Sequence, residues 1–134
     1  MEQKVLKGVF IDSEHGAARI EETQDLSKLL KSAIWVPKDK QEFLSKHILI
    51  QGLNEPITIL SAKDSAYNKY PKPSSILEDE KGYKQEPFTH DDIFIVGLQD
   101  DKLVSLTDKQ IQKVMERMTV FENQICLSVK EKIY

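Results

Sequence analysis

A single cysteine, Cys126, stands in this chain of 134 residues, so no disulfide can close within it and the composition suits a reducing compartment. Its setting, Gln124-Ile125-Cys126-Leu127, is apolar and reads as a half-buried structural thiol rather than a nucleophile. Arginine is almost as scarce. All 19 basic residues except Arg19 and Arg117 are lysines, and the formal net charge is -3. Sequence-specific readers of DNA or RNA rely on guanidinium groups that grip phosphates and base edges through paired hydrogen bonds. A chain with two arginines and a pI near 5.6 falls outside that class. No apolar run approaches the roughly 20 residues of a bilayer span. The start, Met1-Glu2-Gln3-Lys4, runs directly into a strand-like pattern without a charged-then-apolar leader, which points to a cytoplasmic protein.

Motifs of chemistry are equally sparse. The five glycines form no GxGxxG or GxxxxGK[ST] loop to cradle phosphate. His15, His47 and His90 have neither an i, i+4 partner nor a Cys-x-x-Cys neighbour, so no metal and no cofactor is expected. His47 opens an apolar strand and reads as a satisfied imidazole. His90-Asp91-Asp92 offers three ligands or an acid–base pair on paper; the plainer reading is a polar turn before a strand. Acidic pairs at Glu21-Glu22, Glu78-Asp79-Glu80, Asp91-Asp92 and Asp100-Asp101 read as solvated turns, because 22 acids against 19 bases give too weak a field for a nucleic-acid mimic.

With 40% hydrophobic and 31% charged residues, the chain has the composition of one globular domain over residues 1–134. Lys4 to Ile11 and Ala17 to Glu22 predict a hairpin about the Asp12-to-Gly16 turn. Thr23 or Asp25 caps a short helix with Leu26, Leu29, Leu30 and Ala33 on one face, ending before Pro37. Ile34 to Val36, His47 to Gln51 and Pro56 to Leu60 read as extended. Ile93 to Leu98 reads as a central strand covered on both faces, returning through Asp100-Asp101 into Leu103 to Leu106. Thr107-Asp108-Lys109-Gln110 has the form of a capping box. Ile111, Val114, Met115, Met118, Phe121, Ile125 and Val129 then keep a helical period for about five turns. The fold class expected is α+β: a small mixed or antiparallel sheet of about five to six strands built from hairpins, with one short N-terminal helix and one long C-terminal helix packed on it. An apolar stripe of that length exceeds one sheet face, so Ile111, Val114, Met115, Met118, Phe121 and Ile125 are the expected interface of a homo-oligomer.

The stretch at about 61–92 reads as one long loop, beyond the common range for a connection. It holds Pro71, Pro73 and Pro87 with Tyr67, Tyr70 and Tyr83. Tyr67, Lys69, Tyr70, Lys72, Tyr83 and Lys84 supply stacking faces and cations that suit a nucleotide-like ligand or a partner protein. The alternative is a proline-stiffened loop whose tyrosines pack on the domain.

The segment from Asp92-Ile93-Phe94-Ile95-Val96-Gly97-Leu98 through Gln99-Asp100-Asp101-Lys102-Leu103-Val104-Ser105-Leu106-Thr107-Asp108 resembles the closing hairpin of the domain-of-unknown-function family numbered 3846. Lys7-Gly8-Val9-Phe10-Ile11-Asp12, Glu21-Glu22 and Leu26-Leu29-Leu30 are similar to that family's opening hairpin and helix. The likeness covers about half of the chain. The family's Gly-Asn and Leu-Pro-x-Asn features are missing from the middle, and the turns after Met118 have no counterpart. The resemblance implies a small accessory protein of a phage, plasmid or other mobile element, with no enzyme chemistry attached.

Three functional readings follow. The first is a non-enzymatic accessory protein that binds a host protein or a small signalling nucleotide, as counter-defence inhibitors and sponges do. The second is a small hydrolase or nuclease using His90, Asp91 and Asp92. The third is a structural or regulatory subunit that oligomerises.

Overall fold

The computed structural model describes residues 5–12, 17–30, 42–50, 52–62, 75–78, 84–89, 92–121 and 124–133. Ten strands and two short helices lie among them: β1 (Leu6–Asp12), β2 (Ala17–Thr23), α1 (Leu26–Leu29), β3 (Phe43–Ile50), β4 (Ile57–Ala62), β5 (Ser75–Glu78), β6 (Lys84–Thr89), β7 (Ile93–Gln99), β8 (Lys102–Val104), α2 (Asp108–Glu116), β9 (Met118–Phe121) and β10 (Gln124–Ile133). The strands run in the order β2-β1-β7-β4-β3-β10-β5-β6, with β8 on β7 and β9 on β10. Every pairing is antiparallel except β10 with β5.

The register explains the two cores. Val9, Ile95 and Ile59 lie in one cross-strand row, and Ile11 and Ile93 in the next, all on one face. With Ile48, Ile50, Ile57 and Leu53 they form a buried cluster completed by Ile111 and Val114 of α2 and by Ile125, Leu127 and Val129 of β10. Phe10, Leu60, Phe94 and Val96 point to the opposite face, where Leu26, Leu29 and Leu30 cover them. Both sides of β7 are therefore buried from Ile93 to Gly97, which is why its sequence shows a continuous apolar run instead of alternation. The expected central strand and the expected β1–β2 hairpin both form. The Asp100-Asp101 turn has φ of 51° and 62°, the two left-handed residues that a tight two-residue hairpin requires.

The expected fold needs three corrections. The long C-terminal helix does not exist: α2 is nine residues, ends at the Arg117 cap, and gives way to strands β9 and β10. A helical count joins Ile125 to Val129 four residues on and passes over Leu127. Ile125, Leu127 and Val129 are all buried, the period of two that a strand demands. The stripe is thus divided: Ile111, Val114 and Ile125 sit in the core, Met118 packs at its margin, Phe121 ends β9, and Met115 is 40% exposed. The short N-terminal helix is only the single turn Leu26–Leu29, and Ala33 and Pro37 lie outside the described residues. A turn so short gains little from its own hydrogen bonds, so docking of its leucines on Phe94 and Phe10 decides its shape. The five or six expected strands are ten, because the stretch read as a loop contains β5 and β6 and the stretch read as helix contains β9 and β10.

The capping box forms as written in the sequence. The Gln110 amide donates to Thr107 Oγ1 at 3.1 Å, and the Thr107 amide donates to Gln110 Oε1 at 2.9 Å. Thr107→Ala removes one of these two bonds. It should cost about 1 kcal/mol of stability, read as a lower urea midpoint at unchanged slope.

Candidate functional site

Three segments meet at the amino end of α2. The first is the β3–β4 turn, where the Leu53 amide donates to the Ile50 carbonyl at 3.0 Å. Gly52 turns the chain with φ of 93°, a conformation that favours glycine. The second is the β7–β8 hairpin. The third is the Ser105-Leu106-Thr107 step, which is stitched to β1. The Leu106 amide donates to the Lys7 carbonyl at 2.9 Å, and the Lys7 amide donates to Ser105 Oγ at the same distance. Ser105 Oγ donates onward to the Val5 carbonyl. These bonds fix Thr107, and with it the direction of α2.

Between the segments lie two adjoining hollows. One, of about 280 Å³, is lined by Gly52, Leu53, Asn54, Glu55, Thr107, Lys109 and Gln110. The other, of about 360 Å³, is lined by Glu55, Leu98, Gln99, Val104, Ser105, Thr107 and Gln110. Glu55, Thr107 and Gln110 belong to both. Together the hollows are of the size that small ligands occupy.

Gln110 is the chemically distinctive member. It is only 8% exposed, and its Oε1 is committed to the Thr107 amide. That bond orients the carboxamide and leaves Nε2, with two N–H donors, without an acceptor among the described residues. A donor in this state is available to water or to a ligand oxygen. Glu55, exposed at the junction, supplies an acceptor, and Lys109 and the helix amino end set positive charge against the carboxylates of Glu55 and Asp108.

The site residues expected from sequence fall mostly outside the described residues. Tyr67, Lys69, Tyr70, Lys72 and Tyr83 lie outside the described residues, and Lys84 opens β6 opposite Glu78. His90 and Asp91 also lie outside them, while Asp92 is half-buried just before β7. His47 is half-buried on β3, with Nδ1 2.9 Å from Thr58 Oγ1. Local sequence marks Thr107 and Gln110 as a helix cap but not as the wall of a cleft. It gives no sign of Glu55, Gln99 and Lys109, whose roles depend on contacts between distant segments.

No family model matches the chain, and no curated protein or solved structure shows a significant likeness to it. Among the described residues no helix is long and apolar enough to cross a membrane.

Proposed function

We propose that this protein acts by binding a small nucleotide-like ligand in the cleft at the head of α2, as a non-enzymatic accessory protein of a phage or other mobile element in a bacterial cytoplasm. The observation that carries the binding reading is the buried Gln110 carboxamide in the shared wall of the two hollows. It is oriented through Oε1, and its Nε2 lacks an acceptor among the described residues. A nucleobase edge presents a carbonyl and an N–H together, matching the Gln110 donor and the Glu55 acceptor. Lys109 and the helix amino end suit a phosphate. The mobile-element context is supported by the likeness of the Asp92-to-Asp108 segment to the family named above.

Calorimetric titration with a panel of linear and cyclic nucleotides tests the reading. Lys109→Ala and Glu55→Gln alter exposed side chains and should leave the melting temperature within about 2 °C of the parent. Each should weaken binding by about tenfold or more, the worth of one charged hydrogen bond. Failure of every nucleotide to bind more tightly than about 1 mM sinks the proposal. So does unchanged affinity in both variants.

A further inference from the structure

We infer that two copies of this chain join through β2, edge to edge and antiparallel, so that their sheets run on as one. β2 is the terminal strand of the sheet, seven residues long, without proline, and among the described residues only β1 pairs with it. Such an edge is a template for another strand. At the far end of the strand order, β6 carries Pro87, which has no N–H for a ladder. A two-fold contact of β2 with itself uses up that edge and closes the assembly at two copies.

The sequence of β2 selects the partner and the register. Two identical edges related by a two-fold axis must centre on one residue, and Ile20 is the midpoint of Ala17–Thr23. Centring there overlaps all seven residues and sets Arg19 opposite the partner's Glu21, twice by symmetry. Shifting the centre by one residue sets Arg19 against Arg19, or Glu21 against Glu21. Like charges directly opposite are destabilising, so both neighbouring registers are disfavoured. The same centring sets Ile20 against Ile20. That side chain is 52% exposed, among the largest apolar exposures of the described residues, and it continues the apolar row of Val9 and Ile95. Arg19 is already held at this edge. Its guanidinium lies 4.6 Å over the Phe10 ring and pairs with Asp12 and Glu21 of its own chain.

Sedimentation velocity from about 1 µM to about 1 mM reads the assembly, since a seven-residue edge buries less than a standard interface and predicts a dimer of modest strength. The full chain should pass from its 15.4 kDa monomer to twice that mass. Arg19→Glu and Glu21→Arg should each weaken dimerisation about tenfold or more, because two attractions become two repulsions. Mixing the two variants should restore a mixed dimer, since all four charges then meet their opposites across the seam. A purely structural role within one chain would not be rescued by mixing. A parent chain that stays monomeric at about 1 mM, a dimer indifferent to both reversals, or variants that fail to associate on mixing overturns the inference.

Discussion

Gly8→Ala should lower the melting temperature by about 10 °C or more, equivalent to a loss of about 3 kcal/mol. The reason is geometric. A methyl carbon built on Gly8 would overlap the carbonyl oxygen of Ile95 and lie 3.1 Å from Val96 Cγ1. The oxygen belongs to the backbone of β7 and has no rotamer to retreat into. Relief requires β1 to move away from β7, which would break the Val9–Ile95 and Phe10–Phe94 pairings at the centre of the sheet. Gly52→Ala is the informative comparison. Its φ of 93° disfavours a side chain, but the nearest atom is Lys113 Cδ at 3.2 Å, on a flexible chain that can swing aside. About 1 kcal/mol is expected there. Circular dichroism melts of the two variants should rank Gly8 well above Gly52, and equal losses would refute the close-approach argument.

Phe94→Ala should cost about 3–5 kcal/mol, the range for emptying a fully buried aromatic site. Phe94 has no solvent exposure and lies in the smaller core with Phe10, Leu30, Leu60 and Val96. Its neighbours come from the α1 segment, β1, β4 and β7, so the hole cannot close by moving one element. Met115→Ala should change stability by no more than about 0.5 kcal/mol, because the residue is 40% exposed and belongs to neither buried cluster. Urea titrations of both variants check the assignment. A costly Met115→Ala would turn the other side of α2 toward the sheet, and a mild Phe94→Ala would remove Phe94 from the smaller core.

Where the sequence is legible, local chemistry and tertiary contacts agree. The Asp100-Asp101 turn, the Thr107–Gln110 cap and the apolar run Ile93 to Leu98 each declare their element within a few residues. The tail from Met118 onward is ambiguous because Ile111, Val114, Met118, Ile125 and Val129 fit a helical spacing. Only the burial of Leu127 between Ile125 and Val129 resolves it. β5 and β6 are hidden for another reason. Ser75–Glu78 is a short strand, and its partner β10 begins about fifty residues later, with no hairpin signal to announce a parallel pairing. The cleft shares this obstacle. Gly52, Glu55, Gln99 and Gln110 each have an ordinary local explanation, and the hollows arise only once the β3–β4 turn meets the amino end of α2.

The position of β10 bears on how the chain can be made. Its first half pairs with β5 and β9, its second half pairs with β3, and a bulge between Val129 and Glu131 lies at the start of the β3 pairing. Residues 124–133 therefore join β5 and β6 to the rest of the strand order. During synthesis, the segments that form β1 to β4 leave the ribosome long before this joint does. They can pair among themselves, but Ile48 and Ile50 remain without Val129, and β5 lacks the strand that ties it to the main sheet. Closure of the larger core thus waits on the last strand described. Until residues 124–133 have emerged, the half-assembled sheet keeps its apolar floor open to water, a state in which a nascent chain is prone to associate wrongly.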